Sequence, residues 1–188
     1  LRTAYVFASG AAPVDSSSDF DTIFSAMTAT NDWVKSGPGH LVIAGDQRGI
    51  GPVVSVEAGT LWLGHPDRPG WLHANYPANQ PGACTSADFD IRPGGTLAIA
   101  RAGYPVDGVT NTTLAATAVV SLHDNPHCQA RMLIDAGCDQ TVHRLYINGV
   151  SQPRGDYAAS VDPIHFAGTG VLRVARDDDH PGFYIIVQ

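Results

Sequence analysis

Apolar and polar residues alternate along much of this chain in short runs that begin at a glycine. The unit Gly-x-Leu-x-aliphatic is fullest in Gly59-Thr60-Leu61-Trp62-Leu63. It recurs as Gly39-His40-Leu41-Val42-Ile43, Gly95-Thr96-Leu97-Ala98-Ile99 and Gly170-Val171-Leu172-Arg173-Val174. A period of two puts every second side chain on one face of a strand, and the leading glycine supplies the backbone freedom of a tight turn. Each unit therefore predicts a strand entered from a corner. Val54 to Leu63 and Phe89 to Ile99 match closely: an alternating strand, a charged corner residue, a glycine, then Thr-Leu-x-aliphatic. Successive coils of a stacked β structure require such a match.

Between these units the same reading places further strands at Thr3 to Ala8, Met132 to Ile134 and Val142 to Ile147, and a terminal one at Phe183 to Val187. Thr113-Leu114 with Val119 to Leu122 predicts another pair. Asn148-Gly149 is a tight-turn signal. Phe20 to Thr30 predicts a short helix, since Asp19 or Asp21 can cap it and Phe20, Ile23, Phe24 and Met27 fall at helical spacing. A strand is the second reading there. A proline-rich insertion interrupts the pattern at about 64–85. Long segments without regular patterning are often functional, and Trp71, His73 and Tyr76 could offer flat rings and donors to a sugar or a protein. The preferred reading folds Trp71 back over the end of the core.

Composition agrees with the pattern. At 188 residues the chain fits a single β-rich domain, and 20 Gly, 13 Pro and only 15% charged residues place it in the all-β class. The net charge is −7, with one lysine (Lys35) and ten arginines that never cluster, so nucleic acid is excluded as a partner. No apolar run reaches the roughly 20 residues of a membrane-spanning helix, and no membrane insertion is expected. A first residue of Leu suggests a processed or trimmed chain.

Two regions resemble a known family. Trp33-Val34-Lys35-Ser36-Gly37-Pro38-Gly39-His40-Leu41-Val42-Ile43-Ala44-Gly45, followed by Val54 to Leu63, is similar to the autotransporter-associated β-strand repeat of large bacterial surface and secreted proteins. Leu145 to Tyr157, with Phe166 to Val174, resembles a C-terminal segment frequent in such proteins. Together the two regions span roughly a third of the chain. The resemblance implies a right-handed parallel β-helix, or a fragment of one, in a secreted or cell-surface protein of bacteria, and it implies no catalytic residues or cofactors. The spacing of the units is irregular, at 20 and then 36 residues. A β-sandwich or jelly roll is the alternative.

Candidate chemistry is sparse. His123, His127 and Cys128 fall within six residues and are zinc- or copper-type ligands, but Pro126 keeps them off a regular helix, and a polar turn is the other reading. Asp177-Asp178-Asp179-His180 reads as a solvated acidic turn. Cys128 and Cys138 either form a disulfide or stay reduced beside Cys84. An enzyme reading would draw on Asp90, Arg92, Arg101 and Asp107, yet nothing selects them, and no Gly-x-Ser-x-Gly elbow is present.

The expected function is therefore a non-catalytic structural or adhesion module. Its partners would be itself, other surface proteins or a polysaccharide, and it would assemble through the apolar strands near Tyr5 to Phe7 and Tyr184 to Val187. The alternative is a carbohydrate-active enzyme, a polysaccharide lyase or glycoside hydrolase, or its carbohydrate-binding accessory domain.

Overall fold

In a computed structural model of the chain, the structure describes residues 20–23, 30–43, 50–64, 87–100 and 113–176. All of the regular structure there is β. No helix occurs among the described residues. The first seven strands are β1 (Phe20–Ile23), β2 (Trp33–Lys35), β3 (His40–Ile43), β4 (Val53–Val56), β5 (Gly59–Leu63), β6 (Asp88–Ile91) and β7 (Gly95–Ile99). They are followed by β8 (Val119–Leu122), β9 (Arg131–Ile134), β10 (Gln140–Val142) and β11 (Arg144–Ile147). The series closes with β12 (Val150–Ser151), β13 (Gly155–Tyr157), β14 (Phe166–Gly168) and β15 (Leu172–Val174).

From β1 to β9 the odd-numbered strands enter one sheet and the even-numbered ones another. The first sheet has the order β1-β3-β5-β7-β9-β14 and the second β12-β11-β8-β6-β4-β2, while β10, β15 and β13 form a third, smaller sheet. The two long sheets are parallel except for the antiparallel β11–β12 hairpin. Parallel pairing separates this architecture from the antiparallel sandwich and jelly roll of the alternative expectation.

Register turns the alternation into rows. In the first sheet Leu41, Leu61, Leu97, Met132 and Phe166 lie side by side on successive strands, and Ile43, Leu63, Ile99 and Ile134 form the next inward row. In the second sheet the rows are Trp33-Val54-Phe89-Val120-Leu145 and Lys35-Val56-Ile91-Leu122-Ile147. The inward residues of all three sheets belong to a single apolar core, in which most are fully buried. Each such Leu or Ile contributes about 1.5–3 kcal/mol by leaving water.

At two of the corners the leading glycine has a second reason to be there. Gly59 has a φ of 67°, but the φ of Gly95 is not positive. A Cβ on Gly59 would lie 2.4 Å from the carbonyl oxygen of Gly39, and one on Gly95 would lie 2.3 Å from that of Val56. The corners pass too close to the preceding strand's backbone to admit any side chain.

Several expectations are corrected. The helix predicted over Phe20 to Thr30 begins instead as strand β1, in parallel register with β3. A helix of that length is marginal by itself, whereas the edge of β3 offers a ready ladder of backbone partners. The fourth glycine unit does not join the row of the other three: β15 pairs with β10 and β13, and β9 and then β14 continue the first sheet. Val142 to Ile147 is two strands, broken at His143, because Val142 and Arg144 enter different sheets. Leu114 forms only an isolated bridge, and Val119 to Leu122 pairs with β6 and β11. The Asn148-Gly149 turn is present, with φ of 53° and 78°, the two positive values that a two-residue hairpin turn of the primed type requires. Thr3 to Ala8, Phe183 to Val187 and nearly all of the insertion lie outside the described residues.

Candidate functional site

Three polar constellations stand out against this apolar frame. The first surrounds Lys35. Its position in an inward row of the second sheet, next to Val56, would ordinarily be filled by an aliphatic residue. The residue is buried, and its ammonium donates to the carbonyls of Gly37 at 2.6 Å, Gly39 at 2.7 Å and Ala58 at 2.7 Å, with that of Ser36 farther off at 3.4 Å. The three short bonds use all three of its N–H groups. They tie the β2–β3 corner to the β4–β5 corner. Burial lowers the pKa of Lys35 from the ordinary lysine value.

The second constellation lies on the outward face of the second sheet. Asp90 on β6 stands beside Ser55 and Ser121 in register. Its carboxylate meets Arg92 Nη2 at 2.5 Å and His123 Nε2 at 2.7 Å. The His123 contact is an ion-pair distance without hydrogen-bond alignment, since Asp90 Oδ1 has no hydrogen-bond partner.

The third was not legible as a local motif. His165, in the turn that enters β14, places Nδ1 2.6 Å from Asp162 Oδ2 and Nε2 2.9 Å from Asp124 Oδ2. Asp124 sits in the β8–β9 loop. It also accepts from Asn148 Nδ2 at 2.9 Å and from the Ala130 amide at 2.9 Å, while its own amide donates to Asn148 Oδ1 at 2.7 Å. Three loops meet at this node. Burial opposes the charge of His165, but hydrogen bonds to Asp124 and Asp162 and their negative charges outweigh it and raise the histidine above its ordinary value. For both carboxylates burial likewise acts against ionisation, and hydrogen bonds from His165 and neighbouring groups prevail and lower the pKa. Both ring nitrogens face carboxylates, so neither is available to take a proton from a substrate.

The sequence-predicted residues fare differently. His123 turns to Asp90, while the amides of His127 and Cys128 donate to Asn125 Oδ1 at 2.8 and 2.7 Å, closing a compact polar turn. No group of three His, Cys, Asp or Glu side chains placed to hold a metal ion occurs among the described residues. Cys128 is exposed and Cys138 buried, with the extended β9 between them and no disulfide joining them. Trp71, His73, Tyr76, Arg101, Asp107, Asp177, Asp178, Asp179, His180 and Cys84 lie outside the described residues. Sequence reading passed over His165 because its partner Asp124 is 41 residues away. The available signal was the spacing of Asp162 and His165, which lets one carboxylate reach both the amide and the ring of the later residue.

No helix of the described residues is long and apolar enough to cross a membrane. Compared with known protein families, with curated proteins and with solved structures, the chain finds no match, and the resemblance to the β-strand repeat rests on the residues named above alone.

Proposed function

We propose that this chain is a non-catalytic structural module of a secreted or cell-surface bacterial protein, which adheres or self-assembles, and that its strands wind as a right-handed parallel β-helix. The observation that carries the reading is the regular transfer of successive strands between two parallel sheets, with side chains stacked in register from β3 to β9. Parallel crossovers in one sheet take the right hand in nearly all proteins. Such a stack is a scaffold whose ends carry unpaired backbone groups, and pairing through those ends is a route to assembly. The Lys35 and His165 constellations fit the same reading, because each one ties loops or corners together.

Light scattering across a wide concentration range, with electron microscopy of the same samples, tests the proposal. Mass that grows with concentration, or rings and filaments, supports it. A strict monomer that also binds no glycan or surface overturns it.

One observation favours the second reading, a carbohydrate-binding accessory domain or a carbohydrate-active enzyme. Trp62 faces away from the core on β5, and its Nε1 donates to His40 Nδ1 at 3.2 Å, which fixes the ring on the outer face. An indole held in this way is a stacking surface for a sugar. Binding to a polysaccharide panel that is lost in Trp62→Ala, with the monomer intact, would favour this reading.

A further inference from the structure

The geometry points to a pH-dependent latch where β14 and β12 edge the two long sheets, in which the His165 imidazolium holds Asp124 and Asp162 together and releases them when the ring loses its proton. This inference is independent of the function proposed above.

The latch joins the elements that end both long sheets. Asp162 and His165 lead into β14, the last strand of the first sheet, and Asn148 turns the hairpin that places β12 at the edge of the second. Asp124 reaches both, across 41 residues to His165 and 24 to Asn148. The backbone is drawn in too, since the His165 carbonyl accepts from the amide of Met132 on β9 at 2.8 Å.

Protonation decides whether the two arms can hold at once. An imidazolium has two N–H groups and satisfies both carboxylates, whereas a neutral ring has one N–H and one lone pair. After deprotonation, one of the two contacts sets a nitrogen lone pair against a carboxylate oxygen at less than 3 Å. The side chain is only 11% exposed, so water does not readily replace the lost bond. The charged groups that act on the ring are Asp124 from the β8–β9 loop and Asp162 from its own turn, and the hairpin presents only the neutral Asn148 amide.

The direction in pH follows from linkage. A histidine whose folded pKa lies above its ordinary 6.5 gives its full stabilisation below that value and loses it as pH rises through the higher folded value. On the acid side Asp162, lowered from its ordinary 3.8, keeps its share until pH falls through the lowered value. The latch is thus closed between the ordinary carboxylate value of 3.8 and the ordinary histidine value of 6.5, and it opens as pH rises through the raised histidine value.

Opening would alter a particular surface. Val150, Val161 and Ile164, three of the four large hydrophobic residues exposed among the described residues, lie on the two segments that the latch holds. Their relative placement depends on it.

The test uses the full chain and nuclear magnetic resonance titration of the histidine rings. His165 is expected to titrate above the ordinary histidine value of 6.5. Above its midpoint, exchange at the amides of Asp124 and Ala130 should accelerate several-fold beyond the base-catalysed rise seen at core amides such as Leu97. In His165→Gln that extra acceleration should vanish. A His165 midpoint at or below 6.5 overturns the latch, as does a raised midpoint with no extra exchange. Should the variant fail to fold, the wild-type titration and exchange decide by themselves.

Discussion

Residues 33–134 and 140–174 close their backbones in different ways. In the described part of the earlier region, corners are tight, apolar rows run straight across the strands, and the buried ammonium of Lys35 is held by neutral carbonyls. In the later region the strands are shorter, antiparallel partners appear, and charged side chains join loops that the ladder alone would leave apart. A stack with a neighbour on each side needs only shape and apolar surface. Among the described residues β14 and β12 edge the two long sheets, and there side chains add to the work of backbone pairing.

The largest test of this contrast lies at the corners. Gly95→Ala would push a Cβ into the Val56 carbonyl, and unfolding experiments should show a loss of about 3 kcal/mol or failure to fold. Gly39→Ala is the matched control. No atom lies within 4 Å of a Cβ built there, and the expected change is within about 0.5 kcal/mol. Equal effects at both positions would mean that close approach to the Val56 carbonyl does not select the glycine at position 95.

Next comes the caged ammonium. Lys35→Met keeps an unbranched chain in the row but leaves the carbonyls of Gly37, Gly39 and Ala58 without their donor, at a cost of about 2–3 kcal/mol in denaturant unfolding. In contrast to the latch, the acceptors that face the ammonium in these bonds are backbone carbonyls, which do not titrate.

The smallest effect is expected at the exposed pair of the later region. Arg173 Nε and Nη2 meet Asp156 at 2.8 and 3.2 Å across the β13–β15 ladder, and both side chains are more than half exposed. Arg173→Ala should leave thermal stability unchanged within error at physiological salt. A clear loss would show that charged links stabilise the closing region even where water surrounds them.

The same contrast explains what could be read from the sequence. The strands led by Gly39, Gly59 and Gly95 were legible because the alternation and the leading glycine sit within five residues, and the register then follows from stacking like on like. The Asn148-Gly149 hairpin was legible for the same local reason. The fourth glycine unit misled, since its pattern is right for a strand but does not say which sheet the strand joins. Phe20 to Thr30 misled because helical spacing and strand composition overlap in so short a run, and pairing with β3 decided it. Lys35 could be counted but not placed, as nothing in the sequence near it announces a carbonyl cage. The Asp124-His165-Asp162 node depends on loops far apart in the chain, and only folding brings them together.

The burial of Lys35 also gives the molecule a chemical identity that its surface does not advertise. The sequence's single lysine is turned inward, with its amine engaged by backbone oxygens. Acylating reagents and enzymes that couple through lysine therefore find no accessible lysine side chain on the folded chain. Modification at Lys35 has to wait for the β2–β3 corner to open, so its rate of acylation acts as a clock for that local event.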